Sequence, residues 1–418
     1  MLPNLAASSG VPLQGFVPSP PCAASCRDEA ALRRLGVVRA LYAVFTRNGA
    51  EPGGVASPWF NGHADLLQDY VSSTLLSESQ DAGQDASQDC LPCSLAAVTR
   101  WSSTPTLAAF RSHCTKLEPA CFPVSLAAEP FASSNWVTAA GTPDVEALAA
   151  AFPEGTTAAV CGGTRMSLGE YARWWRSADC DVGFYLKDVH LRDALPAVSM
   201  PALFEDDWLG SCFDADQAAG LPDLRFIYCG WAGTKTLLHT DIWDTHSWSV
   251  NLCGTKFWRF VPPCDSHLLM DCYGEKMAPT IEMAATAPLL YPLAHRARVL
   301  ELQQATGECV FVPSRWVHCV FNQEACLSIN CNWADATLLP HLVHHARQER
   351  DDAGSSLQLR PLLARFLTFA AERELAALQG GTDASWSAYT LRRLHMALAD
   401  DPACASLAER CRAALLLL

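Results

Sequence analysis

Between Leu224 and Asn332, short runs rich in β-branched and aromatic residues alternate with Gly, Pro and polar turns, and this pattern limits what the chain can fold into. LRFIYCG, TKTLLHT, HSWSVNLC, TKFWRFV, ECVFVP, VHCVFN and CLSINCN each have the length and composition of one strand. Such a succession folds as a sandwich or barrel. Beyond Asp335, apolar residues recur at helical spacing in LPHLVHHARQERDD and LQLRPLLARFLTFAAERELAALQ, so a helical region follows the β core. Upstream, residues 28–48, 66–76 and 107–122 read as amphipathic helices, and SESQDAGQDASQD (77–89) as a solvent loop. We therefore expect a helical and low-complexity extension over 1–130, a β unit over 131–336 and a helical region over 337–418.

The chain is 50% hydrophobic and carries 44 acidic against 30 basic residues, a formal net charge of -14. That composition excludes disorder throughout and disfavours phosphate-backbone binding, so no nucleic-acid partner is expected. No apolar run approaches the ~18 to 20 residues that span a bilayer, and no basic segment precedes an apolar stretch near the start. We expect a soluble protein with no membrane partner, placed in the cytoplasm or nucleus. The 19 cysteines then read as reduced thiols packed as small hydrophobes. Cys22 with Cys26 and Cys90 with Cys93 are too far apart and too unlike in context to make one zinc site.

His239-Thr240-Asp241 ends a strand-like run, where residues i and i+2 face the same side. An imidazole and a carboxylate there reach one metal, and His318, in the run after GECVFVPSRWV, offers a third ligand. Two imidazoles and one carboxylate form the facial triad of non-haem Fe(II) oxygenases, which leaves positions open. His-x-Asp alone says little, because with 12 histidines a chance copy is expected. His63-Ala64-Asp65 is such a copy, has no matching distal histidine and reads as surface.

Lys256 alternates with Trp258 and Phe260 on a face that reads as buried, where an ammonium is costly unless an anion meets it. A dicarboxylate would supply that anion, its far carboxylate on Lys256 and Thr236 and its keto-acid end on the metal. Asn251, Asn330 and Asn332 sit inside apolar strands and either satisfy backbone groups or face that ligand. Trp231, Trp243, Trp248, Trp258, Trp316 and Trp333 read as core. Asp244 has only its position to suggest that it meets a substrate ammonium. His246 reads as a strand residue, and His344 and His345 splay apart on a helix.

The HTD run, the lysine of TKFWRF and GECVFVPSRWVH together resemble the jumonji-C group of 2-oxoglutarate- and Fe(II)-dependent oxygenases. NWVTAAGTPD (135–144), MSLGEY (166–171), YLKDVHL (185–191), SWSVNLCGTKFW (247–258) and SINCNW (328–333) extend the resemblance, in order, from about Phe131 to Ala336. They narrow it to a member that hydroxylates a lysine of the eukaryotic translation termination factor. The resemblance implies a mixed α and β fold: a double-stranded β-helix (jelly-roll, cupin-like) with N-terminal helices and a C-terminal helical region. It implies Fe(II) on His239, Asp241 and His318, and 2-oxoglutarate held among Thr236, Lys256, Asn251, Asn330 and Asn332. O2 would be the other cosubstrate, with succinate and CO2 released. It also makes the C-terminal helices a candidate homodimer surface.

The same chemistry would serve an N-methyl-lysine demethylase. A catalytically inert β-helix used for binding would have lost a ligand, whereas all three are present, and Lys256 argues against a cupin-type metal protein without 2-oxoglutarate. Residues 1–130 and 263–300 fall outside the resemblance, and loops of that kind often form a substrate rim.

Overall fold

The computed structural model describes residues 97–126, 135–160, 164–177, 183–194, 201–215, 223–348, 359–378, 383–399 and 404–418. The helices expected over 28–48 and 66–76, the loop at 77–89, His63, Asp65 and the two upstream cysteine pairs lie outside these residues. Among the described residues, no helix is long and apolar enough to cross a membrane.

In chain order the strands are β1 (Thr99–Arg100), β2 (Ala120–Pro123), β3 (Thr157–Val160), β4 (Thr164–Ser167), β5 (Tyr185–His190), β6 (Arg225–Gly230) and β7 (Lys235–His239). β8 (His246–Cys253), β9 (Lys256–Val261), β10 (Leu300–Gln304), β11 (Glu308–Val312), β12 (Val317–Asn322) and β13 (Cys326–Trp333) follow. They form a nine-stranded sheet, β1-β2-β11-β8-β13-β6-β5-β3-β4, and a four-stranded sheet, β10-β9-β12-β7. Six of the steps along β6 to β13 cross from one sheet to the other, the winding of a double-stranded β-helix. The fold class is therefore the mixed α and β, jelly-roll arrangement expected, and every strand-like run named above is a strand.

The sheets pack face to face: Trp258, Phe260, Leu300, Leu302 and Val320 of the small sheet meet Cys121, Val310 and Val312 of the large one. The outer face of the large sheet buries Ile227, Trp248, Val250, Ile329 and Trp333 against residues such as Phe110 and Leu168 of the flanking helices. Helices Leu339–Gln348, Arg360–Ala377, Ala384–Ala399 and Ala405–Leu415 share a second apolar cluster with helix Trp208–Ala215.

Two expectations change. The helix expected over 107–122 ends at Cys114; Leu117 adopts φ 53, Pro119 disfavours helix at Glu118, and Ala120–Pro123 leaves as a buried strand on β11. That strand belongs to the large sheet, so the core starts upstream of residue 131. Leu300–Gln304, which lies outside the strand-like runs named from the sequence, is strand β10. The segment before it packs Leu269, Ala278, Ala284 and Tyr291 on the outer face of the small sheet, against Leu238, Val261, Val317 and Cys319.

Candidate metal centre

His239 is the last residue of β7, and its Cα partner on β12 is His318. The register of this pair shifts between His318 and Val320, where His239 and Thr236 are the successive partners, so β7 holds one extra residue. That bulge departs from simple alternation between Thr236 and His239. The imidazole centroids of His239 and His318 are 4.2 Å apart. Asp241 follows the strand and opens a short turn in which Trp243 and Asp244 take φ 55 and 56. One ligand atom from each of His239, Asp241 and His318 lies within 4.8 Å of the others. His318 Nε2 and Asp241 Oδ2 are 4.0 Å apart. This is too long for a hydrogen bond, whereas two metal-ligand bonds of ~2.1 Å span up to ~4.2 Å.

Backbone carbonyls choose the imidazole tautomers. His239 Nδ1 lies 2.8 Å from Leu237 O, and His318 Nδ1 3.0 Å from Trp316 O. A carbonyl only accepts, so each Nδ1 donates and each Nε2 keeps its lone pair. Burial, then the neighbouring His318, brings His239 down to about 4, so it is neutral at physiological pH. Ser247 Oγ donates to Asp241 Oδ2 at 2.7 Å, and Asn332 Nδ2 donates to Asp241 Oδ1 at 3.0 Å. Ser247 and Asn332 are Cα partners on β8 and β13, so one cross-strand pair orients both carboxylate oxygens.

The inner face of the large sheet continues as a polar ladder: Ser328 pairs with Asn251 and Asn330 with Ser249. Asn251 Nδ2 donates to Gly254 O at 2.7 Å, and Asn330 Nδ2 to Ser328 Oγ at 3.2 Å. Among the described residues, Ser249 Oγ and Asn251 Oδ1 are buried without a partner. Asn332 does not extend freely to a ligand, because its amide is committed to Asp241 and, at 3.0 Å, to Thr245 Oγ1.

Lys256 of β9 is 1% exposed, and its Nζ lies 3.5 Å from the Tyr185 hydroxyl. Among the described residues no carboxylate pairs with it. Burial brings its ammonium down to about 8, while the thiols of Cys326, Cys229 and Cys253 nearby act the other way. The Tyr185 hydroxyl also contacts the side chains of Thr236 and Asn322. A Cβ on Gly230 would stand 2.5 Å from Thr234 Oγ1 and 2.6 Å from Tyr185 Cδ2, so only glycine leaves this phenol in place. A buried cation with no anion of its own, ringed by hydroxyls, fits a carboxylate ligand.

Ser247, Tyr185 and Asn322 were not singled out from the sequence. The alternation S-W-S-V-N held the signal for Ser247; Tyr185 and Asn322 meet Lys256 only through the fold. Asp244, for which position alone suggested a substrate ammonium, is 6% exposed, and its Oδ2 lies 3.4 Å from His345 Nδ1 on the following helix. His246 is fully buried in β8, accepting from Ser314 N at 2.9 Å and meeting Thr337 Oγ1 at 2.8 Å. Among the tryptophans, Trp248, Trp316 and Trp333 are fully buried.

Residues 226–333 match the family model described as JmjC domain, hydroxylase. Mouse 2-oxoglutarate and iron-dependent oxygenase JMJD4 is 35% identical over 240 residues, 51% of this chain and 55% of the relative. The human protein of that name is 34% identical over 235 residues, with the same shares. Arabidopsis thaliana arginine-specific demethylase JMJ20 is 34% identical over 233 residues, 49% of this chain and 50% of the relative. The chain spans about half the length of the curated relatives it matches.

Proposed function

Because residues 226–333 carry a JmjC domain, we propose that this chain is an Fe(II)- and 2-oxoglutarate-dependent protein hydroxylase acting on a lysine side-chain carbon of the translation termination factor. The observation that carries the reaction class is the convergence of His239, Asp241 and His318 on the same barrel interior as Lys256, a buried cation lacking a carboxylate partner among the described residues. The relatives named 2-oxoglutarate and iron-dependent oxygenases support it. The substrate rests on the sequence blocks from NWVTAAGTPD to SINCNW.

When bound, iron and 2-oxoglutarate supply O2 activation, which converts a substrate C–H to C–OH while 2-oxoglutarate becomes succinate and CO2. The protein's own part is positional. His239 and His318 present Nε2 lone pairs because Leu237 and Trp316 carbonyls hold the other nitrogens. Asp241 adds the negative charge, held by Ser247 and Asn332. Lys256, with Tyr185 and Thr236 beside it, would receive the far carboxylate. The apolar contact between the sheets, around Trp258 and Phe260, keeps water from that end.

A second reading, removal of an N-methyl group by the same oxidation, is favoured by the similarity to a relative named as an arginine-specific demethylase. The test is mass spectrometry of the termination factor after incubation with protein, Fe(II), 2-oxoglutarate and O2, with Asp241→Ala as control. A one-oxygen gain on a lysine, absent with the variant, is expected. Loss of a methyl group from a methylated peptide without oxygen gain would replace the first reading by the second.

A further inference from the structure

Strand β5 breaks register with β6: Leu186 pairs with Cys229 and Val189 with Ile227, which leaves Lys187 and Asp188 opposite Tyr228 alone. Two residues against one form a β-bulge, which gives up ladder bonds and re-aims a side chain. Asp188 is held there at φ 55, a left-handed conformation that non-glycine residues seldom take. The result is that Tyr228 donates its hydroxyl to Asp188 Oδ1 at 2.8 Å while the carboxylate stays exposed. Among the described residues, this phenol is the only partner of Asp188, and no cation neutralises it.

Tyr228 connects this carboxylate to the metal centre. Its ring lies 6.5 Å from that of Phe226 at an interplanar angle of 5°, and 6.0 Å from the Tyr185 ring. Burial raises the phenol's pKa, and the Asp188 and Asp241 carboxylates push it the same way, so Tyr228 feels both acids. Lys187, the other bulge residue, stands 4.8 Å over the Tyr185 ring and bears on His239. The bulge therefore sits beside both the metal ligands and the residues around Lys256.

We propose that Asp188 and Tyr228 recognise a cationic side chain of the protein substrate, an ammonium or guanidinium, whose aliphatic stem lies along the Phe226 and Tyr228 rings. This deepens the protein-hydroxylase reading and rests on it. A carboxylate with one oxygen tied to a phenol keeps the other for a cation, and the rings offer an apolar wall to the stem. If Asp188 served only to hold Tyr228, an asparagine would do so equally well.

The test uses the full chain loaded with Mn(II) and 2-oxoglutarate, with n-butylammonium and 1-butanol as probes followed by ligand NMR. Saturation transfer reads binding to the protein, and paramagnetic broadening reads nearness to the metal. Butylammonium is expected to bind and broaden about threefold to fivefold more than 1-butanol, the range of an exposed ion pair. Asp188→Asn removes that preference with the 2-oxoglutarate signals still broadened, and Asp188→Glu restores part of it. Equal behaviour of the two probes, or a preference surviving Asp188→Asn, overturns the proposal. A cation preference that persists in saturation transfer while 2-oxoglutarate fails to bind would instead sink the cosubstrate reading alone.

Discussion

Alternate residues of β8 and β13 face opposite ways. Trp248 and Val250, with Ile329, Cys331 and Trp333, join the outer apolar core. Ser247, Ser249 and Asn251 face the barrel interior, paired with Asn332, Asn330 and Ser328. Several members of the polar set are as buried as the apolar one: Asn251 and Ser328 are at 0% exposure. Burying apolar groups stabilises, whereas burying hydroxyls and amides without partners costs free energy. Ser249 Oγ and Asn251 Oδ1 lack such partners among the described residues. One face of these strands holds the fold and the other lines the candidate site, and polarity rather than burial separates them.

Substitutions on the two faces should fail differently. Trp248→Ala on the outer face should cost ~3–5 kcal/mol in denaturant unfolding, the range for a fully buried aromatic. Ser247→Ala or Asn332→Ala should leave unfolding nearly unchanged yet weaken Mn(II) binding ~10–100-fold, since each releases one Asp241 oxygen. Should either unfold the protein without affecting metal affinity, the inner face would be structural after all.

Lys256→Met should weaken 2-oxoglutarate binding about tenfold or more while stabilising the ligand-free protein, because a buried cation without an anion is removed. Lys256 also sets a pH signature. Anion binding needs the ammonium, so affinity should hold below pH 8 and fall above it, since the free site loses its proton at about 8. In the ligand-free protein its contribution runs the other way: stability rises with pH from about 8 to the ordinary lysine value of 10.5, as the unfolded chain holds the proton more tightly. Calorimetric titration across this range, repeated with Lys256→Met, should show both trends flattened in the variant. The smallest effect expected is that of Asn330→Ala, about threefold or less on 2-oxoglutarate affinity, because its amide donates within its own strand to Ser328.

How much of this was readable from the chain follows from the range of the interactions. β6–β9 and β11–β13 were readable because each is a local run of β-branched and aromatic residues. β10, LELQQ, was not among the runs named: it holds no β-branched or aromatic residue, and its alternate burial is clear only in the fold. Gln304 is buried because it bridges Ser249 O, Glu308 O and Trp258 Nε1. The set His239, Asp241 and His318 was readable as a spacing, but its geometry was not. β7 ends at His239, and Asp241 reaches its place through a turn and a hydrogen-bonded pair on two other strands. Tyr185 was within a quoted block, yet its hydroxyl meets Lys256 from 71 residues away, a distance no local pattern reports.

The most direct test is anaerobic titration of the Fe(II)-loaded chain with 2-oxoglutarate, following the visible charge-transfer absorption of an Fe(II) 2-oxo-acid chelate. The chelate band should form with the wild type, require more 2-oxoglutarate with Lys256→Met and be absent with Asp241→Ala. A band that forms equally well with Asp241→Ala, or none with the wild type, would contradict the assignment of the inner face as the metal and cosubstrate site.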